Sequence, residues 1–301
     1  MNINKPNFFI VGAPKCGTTA LASYLKEHDN IFMSSPKEPH YFADEFREWF
    51  YPCNSIEDYF KLFDAATQSQ SAIGEASVLY LYSKDALQKI KDYDPKSKIV
   101  VMLRNPIDLS YSWHSQGVFN GDETVKDFQT AWDLQYSRRE GKDIPDNCRI
   151  PETLQYEEIA KIGSQVEKLL KIFPREQVHF IFLDEFKKNT TKAYKEVLLF
   201  LGVDYNGKVT FEKVNANKVR LDNSFSKIKK TKFALLVRKF KKLLGIKQLP
   251  LVNKLEKLNT KTINREPINI EFKEKLLSIF LPEINKLEKI LGINLSHWKK
   301  L

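Results

Sequence analysis

The chain has 301 residues, a formal net charge of +10 and 42% hydrophobic residues. This composition excludes a disordered chain and is sufficient for one substantial core, so we expect a single domain over residues 1–301. Three cysteines without CxxC spacing predict neither a disulfide framework nor a zinc site. The positive charge favours anionic ligands, such as nucleotides, sulfated glycans, nucleic acid or acidic lipid.

In chain order, five short apolar runs predict strands, at Phe8–Val11, Ile31–Met33, Ala72–Ile73, Ile99–Leu103 and Val178–Leu183. Segments with helical spacing lie between them, at Thr18–Lys26, Ser83–Lys91, Leu154–Ile172 and Thr190–Leu201. Strands that alternate with helices favour an α/β fold, here a parallel sheet of about five strands flanked by helices.

The last third of the chain, from about residue 218 to 301, is basic and is predicted to be a mostly helical extension packed on the domain. Phe233, Leu236, Phe240 and Leu243 have helical spacing with lysines on the other face. Two interpretations stay open, a solvated amphipathic helix or attachment to an acidic polymer or membrane surface. A signal segment and an apolar run of about 20 residues are both absent from the sequence, which predicts a cytoplasmic protein.

The first strand leads into the loop Gly12-Ala-Pro-Lys15-Cys16-Gly17, and Thr18-Thr19 follow at a helix start. The glycines have GxxxxG spacing, and such a loop directs backbone N–H groups at a helix N-terminus towards an anion. Nucleoside-triphosphate enzymes with this loop carry a lysine after the second glycine, a place taken here by Thr18. The sequence therefore predicts a phosphate site whose lysine lies inside the loop, at position 15.

The fourth predicted strand ends in Arg104-Asn-Pro, and Ser112 follows eight residues after the arginine. Ligands of open α/β sheets bind at the carboxyl edge, where this guanidinium would lie. A helix that starts with the proline would put Ser112 on roughly the same face as Asp108. Arg104 and Ser112 are therefore predicted to bind a second phosphate.

The two motifs, in this order, resemble those of sulfotransferases that use 3′-phosphoadenosine 5′-phosphosulfate (PAPS). The resemblance extends to Phe173–Phe186, Phe200–Gly202 and Leu291–Trp298, and is closest to bacterial relatives of the heparan-sulfate-type enzymes. It implies a P-loop-like sheet and PAPS as co-substrate, with no metal and no nucleic acid. It assigns the nucleotide to Lys15, Cys16, Gly17, Thr18, Thr19, Arg104 and Ser112. It also implies a basic loop in which Lys218 and Arg220 contact phosphates, although ordinary surface basicity explains them equally well.

Sulfuryl transfer needs a group that takes the proton of the acceptor. The segment Lys37-Glu38-Pro-His40-Tyr-Phe resembles the Glu-x-His-Phe-Phe pattern of the heparan-sulfate-type enzymes, which implies that Glu38 is the base and that Lys15 stabilises the leaving phosphate. His40 and His114 stay open as rival bases, with ordinary pKa values that suit the role. One departure is Ala76, which stands where that family has a second lysine; Lys37 is a candidate to replace it.

The sequence thus predicts an enzyme that transfers a sulfuryl group from PAPS to a hydroxyl or amine of a glycan, lipid or small molecule. Two alternatives remain. One is a P-loop kinase or triphosphatase, for which Asp184 offers a loose Walker-B match. The other is a non-catalytic basic protein that binds acidic polymers through residues 218–265.

Overall fold

The computed structural model describes residues 4–47, 53, 55–212, 218–220, 260–262 and 266–301. The central strands are β1 (Phe8–Gly12), β2 (Ile31–Met33), β3 (Ala72–Ala76), β4 (Lys98–Leu103) and β5 (Val178–Phe182). They form a parallel sheet in the order β2-β3-β1-β4-β5. The prediction of an α/β fold around a parallel sheet of five strands is confirmed.

Helices follow the strands along the chain. In the first half they are α1 (Thr18–Lys26), α2 (Asp44–Arg47), α3 (Ile56–Phe60), α4 (Ala86–Tyr93), α5 (Pro106–Asn120), α6 (Phe128–Asp133) and α7 (Gln135–Arg139). In the second half they are α8 (Tyr156–Ala160), α9 (Ile162–Ile172), α10 (Leu183–Lys188), α11 (Thr190–Leu201) and α12 (Ile270–Leu291). None of these described helices combines the length and the apolar character that a membrane span requires.

The centre of the sheet is almost entirely apolar and buried. Every residue of β1 and β3 is buried, as is all of β4 after Lys98. Phe8 pairs in register with Gly74, and a Cβ at position 74 would lie 2.3 Å from Cζ of Phe8. Gly74 is therefore required because the Phe8 ring occupies the space of its missing side chain.

The strand order places two loops side by side. The chain moves from β1 to β2 and β3 on one side of the sheet and then crosses to β4 and β5 on the other. The amide of Ala13, just after β1, donates to the carbonyl oxygen of Met102 in β4 at 2.7 Å. The loops that follow β1 and β4 therefore start next to each other at the carboxyl edge, where open α/β sheets bind ligands.

The predicted helix over Leu154–Ile172 is two helices in the structure. Lys161 has a non-helical backbone (φ −72°, ψ 57°) and separates α8 from α9. The side-chain amide of Gln165 donates to the carbonyl oxygens of Glu158 and Ile159, at 3.0 and 3.1 Å. The break is tolerated because a side chain replaces the lost helical hydrogen bonds.

Helix α4 begins at Ala86, three residues after the predicted start. Ser83 ends the preceding turn, and its hydroxyl oxygen accepts a hydrogen bond from the amide of Ala86 at 3.2 Å. A serine whose side chain accepts from a helix amide lies before the helix, so the helix begins after Ser83 and not at Ser83.

The chain divides into two compact units. The first comprises residues 1–113, 155–214 and 269–301 and contains the sheet, and the second comprises residues 114–154 and 215–268. In the second, β6 (Lys218–Arg220) pairs antiparallel with β7 (Thr260–Thr262). The predicted basic loop at 218–220 is thus a short strand. Helix α12 confirms a helical C-terminal segment, whereas the helix predicted around Phe233 lies outside the described residues.

A buried ion pair lies within residues 114–154 of the second unit. Arg138 donates to both carboxylate oxygens of Glu123, at 2.6 and 3.0 Å, and the two side chains are 1% and 0% exposed. Glu123 also accepts hydrogen bonds from the amides of Thr124 and Val125. Loss of one partner would leave the other charge uncompensated in the interior.

We expect Arg138→Met to lower the free energy of unfolding by about 3–5 kcal/mol, because the carboxylate of Glu123 would stay buried without its cation. Arg149→Met is the matched control, since Arg149 is 44% exposed and contacts Asp122 at only 3.4 Å. That change should cost less than about 1 kcal/mol. Urea unfolding of both variants tests this; equal losses would contradict a dominant role for the buried pair.

Candidate active site

The loop after β1 forms a cradle at the start of α1. Gly17 precedes the helix with φ 91°, and Lys15 also lies in the left-handed region, with φ 61°. The first amides of a helix lack partners within it, and no backbone carbonyl in the described residues accepts from the amides of residues 16–19. Such amides at a helix N-terminus favour an anion, so the geometry is consistent with the phosphate site, which stays a prediction.

The loop side chains divide into buried and accessible ones. Cys16 is fully buried, its thiol donates to the carbonyl oxygen of Pro14 at 3.4 Å, and burial raises its pKa to about 12. Thr18 is 3% exposed, whereas Lys15 and Thr19 are partly exposed. Cys16 can therefore offer a ligand its amide only, while Lys15 can offer its ammonium group.

Arg104 reaches the same loop from β4. Its Nη1 donates to the carbonyl oxygen of Lys15 at 3.4 Å, and its Nη2 lies 3.3 Å from the carboxylate of Asp108. The arginine side chain is 16% exposed and that of Asp108 is 59% exposed. The structure therefore brings Lys15 and Arg104, the two predicted phosphate ligands, next to each other.

The start of α5 is fixed by Asn105, which follows the arginine. Its Oδ1 accepts from the amide of Ile107 at 2.9 Å, and its side-chain amide donates to the carbonyl oxygen of Trp298 at 3.0 Å. Ser112 lies on α5 one turn beyond Asp108 and is 2% exposed. Its contact with a phosphate stays a prediction.

The segment after β2 brings a carboxylate to this edge. The amide of Glu38 donates to the carbonyl oxygen of Ala76 at the end of β3, at 3.1 Å, and its carboxylate pairs with the ammonium group of Lys37. Burial raises the pKa of Glu38, but the ammonium group of Lys37 beside it outweighs this and lowers the pKa below its usual value. The charge of Lys15 also contributes to the lowered pKa of Glu38, so the two side chains lie within electrostatic range of each other.

His40 follows Glu38 and is fully buried. Its Nδ1 donates to the carbonyl oxygen of Glu38 at 3.1 Å, and its amide donates to the hydroxyl oxygen of Ser77 at 3.0 Å. Burial lowers the pKa of His40 to about 4. The structure thus brings His40 to the same segment as Glu38, but as a neutral and inaccessible ring.

The other predicted contributors lie in the second unit. His114 is 2% exposed, its Nε2 donates to the carbonyl oxygen of Val125 at 2.9 Å, and burial lowers its pKa. Lys218 and Arg220 lie on β6, but their side chains are outside the described part of the structure. The roles of these three residues stay predictions.

A buried polar cluster beside the site was not predicted from the sequence. The carboxylate of Glu75 in β3 is fully buried and accepts hydrogen bonds from three hydroxyl groups, those of Tyr59, Ser77 and Tyr80. The signal was an acidic residue within the apolar strand Ala72–Ala76, since a buried carboxylate requires partners.

A family model described as a sulfotransferase domain matches residues 5–254. The chain belongs to the sulfotransferase family. The family predicted from the two phosphate motifs is therefore confirmed.

Relatives of this sulfotransferase are distant in sequence. The human bifunctional heparan sulfate N-deacetylase/N-sulfotransferase 3 is 26% identical over 215 residues, which cover 69% of this chain and 24% of that protein. The membrane-associated sulfotransferase kil1 of Dictyostelium discoideum is 29% identical over 165 residues, which cover 54% of this chain and 33% of that protein. The chain thus matches only about a quarter to a third of these curated relatives.

A solved structure extends the likeness to the whole chain. The crystal structure of a sulfotransferase from Alicyclobacillus acidocaldarius has 26% sequence identity and a TM-score of 0.72. The match covers 99% of this chain and 100% of that chain. The fold of the described residues is therefore similar to that of a solved member of the family.

We expect Gly17→Ala to destabilise the sulfotransferase and to weaken its stabilisation by inorganic pyrophosphate. An alanine at φ 91° costs about 1–2 kcal/mol, and its Cβ would lie 3.0 Å from Leu183 and 3.3 Å from Met102. Gly202→Ala is the control, because Gly202 has φ 77° but its nearest contact is at 3.7 Å. Thermal unfolding with and without pyrophosphate tests this; equal behaviour of the two variants would contradict the loop assignment.

Proposed function

We propose that this protein transfers the sulfuryl group of PAPS to a hydroxyl or amine group of an acceptor. The observation that carries the proposal is the 3.4 Å contact between the guanidinium of Arg104 and the carbonyl oxygen of Lys15. It joins the loop suited to a 5′-phosphosulfate with the arginine suited to a 3′-phosphate. One adenosine nucleotide with phosphates at both positions fits such a pair of anion sites.

The described residues fit the nucleotide chemically. The loop amides and Lys15 would hold the 5′ side, and Arg104 would hold the 3′-phosphate. The contact between Arg104 and the largely exposed Asp108 is a weak ion pair that a phosphate dianion can displace. An arginine is suited to this exchange because its planar fork binds two phosphate oxygens at once.

The proposed reaction is a direct displacement at sulfur. The acceptor oxygen or nitrogen forms a bond to sulfur while the bond from sulfur to the bridging phosphate oxygen breaks, and adenosine 3′,5′-bisphosphate leaves. The carboxylate of Glu38 takes the proton that the acceptor loses. The ammonium group of Lys15 neutralises the charge that develops on the leaving phosphate. Lys37 favours the ionised form of Glu38, which the base must have before transfer.

Glu38 suits the role of base better than either histidine. Its side chain is 31% exposed and can reach a bound acceptor, whereas His40 is fully buried. A pKa of about 4 makes His40 a poor proton acceptor at neutral pH. The ring of His114 is also buried and already donates to Val125. We therefore propose a structural role for both rings.

The acceptor class is suggested by relatives rather than by the site. Among curated relatives are a heparan sulfate N-sulfotransferase and carbohydrate sulfotransferase 15, whose names specify carbohydrate acceptors. We propose a glycan as the first class to test, with lipids and phenols as the next. Ala76 replaces a lysine of the heparan-sulfate-type pattern. We therefore expect this chain to transfer sulfate to a different position of the glycan or to a different sugar.

The kinase or triphosphatase alternative is weaker. Asp184, the candidate for a Walker-B carboxylate, accepts a hydrogen bond from the indole of Trp298 at 3.1 Å and lies 3.7 Å from His297. Thr18 occupies the position of the lysine that such enzymes place on the β- and γ-phosphates. Under that alternative, magnesium ATP would stabilise the native protein, and adenosine 3′,5′-bisphosphate without metal would not.

We expect Glu38→Gln to lower kcat by at least about 100-fold, since the amide cannot take a proton from the acceptor. The stabilisation of the native protein by adenosine 3′,5′-bisphosphate should persist, because Glu38 is not among the phosphate ligands. The measurement is transfer of labelled sulfate from PAPS to a panel of glycans, lipids and phenols, together with thermal unfolding in the bisphosphate.

The control for this variant is Glu57→Gln, at an exposed position of α3, which should transfer sulfate at the wild-type rate. A Glu38→Gln variant that retains wild-type kcat would show that another group is the base. Loss of both turnover and bisphosphate binding would place Glu38 in nucleotide binding instead.

A further inference from the structure

The buried carboxylate of Glu75 has no part in the proposed proton transfer. Its Oε1 accepts from the hydroxyl groups of Tyr59 and Tyr80, at 2.7 and 2.8 Å, and its Oε2 accepts from Ser77 at 2.6 Å. Burial raises the pKa of Glu75, and the three hydroxyl donors oppose that rise. Burial of a carboxylate in an apolar strand costs free energy because the group loses its hydration. Its presence there therefore indicates a function that compensates for this cost.

Two of the three hydroxyl groups also bind the segment that carries Glu38. The oxygen of Ser77 accepts from the amide of His40 at 3.0 Å, and the oxygen of Tyr80 accepts from the amide of Phe42 at 3.3 Å. Each hydroxyl thus donates to Glu75 and accepts from the main chain of the segment. The carboxylate fixes the direction in which both hydroxyl groups point, because it can only accept.

Tyr59 differs from the other two donors. Its hydroxyl also donates to Glu75, but its contact with the segment is through its ring, which stacks on Tyr41 with 4.5 Å between ring centroids. Replacement of Tyr59 by phenylalanine would remove one hydrogen bond to Glu75 and keep this stacking. Tyr59→Phe is therefore the matched control for variants that remove the hydroxyl groups of Ser77 and Tyr80.

The segment needs such support because its backbone is strained. Glu38 and His40 both lie in the left-handed region, with φ 64° and 49°, and neither is glycine. Each such residue costs about 1–3 kcal/mol and persists only where neighbouring structure enforces it. Three main-chain hydrogen bonds hold this backbone in place. The amide of Glu38 donates to the carbonyl oxygen of Ala76, and the amides of His40 and Phe42 donate to the hydroxyl oxygens of Ser77 and Tyr80.

We propose that Glu75 is a positioning residue, which acts through Ser77 and Tyr80 to hold residues 38–42 so that the carboxylate of Glu38 faces the transferred group. This inference rests on the proposed role of Glu38 as base. It assigns to Glu75 no contact with either substrate. Its effect should therefore appear in kcat and not in nucleotide affinity, because misplacement of a reacting group slows the chemical step.

The test compares Ser77→Ala and Tyr80→Phe with Tyr59→Phe in the full chain. Each variant removes one hydrogen bond to Glu75, but only Ser77→Ala and Tyr80→Phe also take the acceptor from a main-chain amide of the segment. We expect Ser77→Ala and Tyr80→Phe to lower kcat by about tenfold or more, with the KM for PAPS within about twofold of wild type. Tyr59→Phe should keep kcat within about twofold of wild type.

The outcomes separate this inference from the proposed function. If Glu38→Gln is inactive while Ser77→Ala and Tyr80→Phe have wild-type kcat, the positioning role is wrong and the base assignment stands. If all three hydroxyl variants lose kcat in proportion to their loss of stability, Glu75 is only a structural residue and the inference is overturned. If Glu38→Gln is active, the proposed base itself is wrong. Should Tyr80→Phe not fold, the comparison of Ser77→Ala with Tyr59→Phe still decides the question.

Discussion

The pairing of β1 with β4 is the constraint on which the site depends. Since these strands are parallel neighbours at the point where the strand order reverses, the loop after one and the arginine after the other emerge side by side. The hydrogen bond from Ala13 to Met102 joins the two strand ends, and that from Arg104 to the carbonyl of Lys15 joins the two phosphate motifs. Two groups that are 89 positions apart in sequence are thereby brought into contact, and we propose that they form one anion site. In the proposed function, this arrangement of the strands holds the two phosphate-binding motifs next to each other.

Two carboxylates near this edge have opposite electrostatic environments. Glu38 is partly exposed beside Lys37 and within the influence of Lys15, and its pKa is lowered. Glu75 is fully buried among hydroxyl groups, and its pKa is raised. A carboxylate that stays ionised and accessible suits proton transfer, whereas one enclosed by neutral donors suits the support of a strained backbone. The different environments of the two residues underlie the different roles that we propose for them.

The sequence predicted the sheet and the phosphate motifs well, because apolar runs and glycine spacing are local signals. All five strands and helices α1 and α11 agree with the predicted positions. It could not show that the helix over Leu154–Ile172 breaks at Lys161, since the break depends on hydrogen bonds from Gln165 across the turn. It also missed the Glu75 cluster, because Tyr59 lies 16 positions before Glu75 on helix α3 and no local pattern shows that the fold brings its hydroxyl group to the strand. The burial of His40, which weakens its case as a base, was equally a property of tertiary structure.

The most direct test of this account is the affinity of the metal-free protein for adenosine 3′,5′-bisphosphate and for adenosine 5′-monophosphate, measured by calorimetry for wild type and Arg104→Ala. If Arg104 binds the 3′-phosphate, the wild type prefers the bisphosphate by at least about tenfold, since a charge-assisted contact contributes about 1.5–3 kcal/mol. The Arg104→Ala variant should lose that preference and bind the monophosphate as the wild type does. An equal loss of affinity for both nucleotides, or no preference in the wild type, would contradict the shared site for two phosphates.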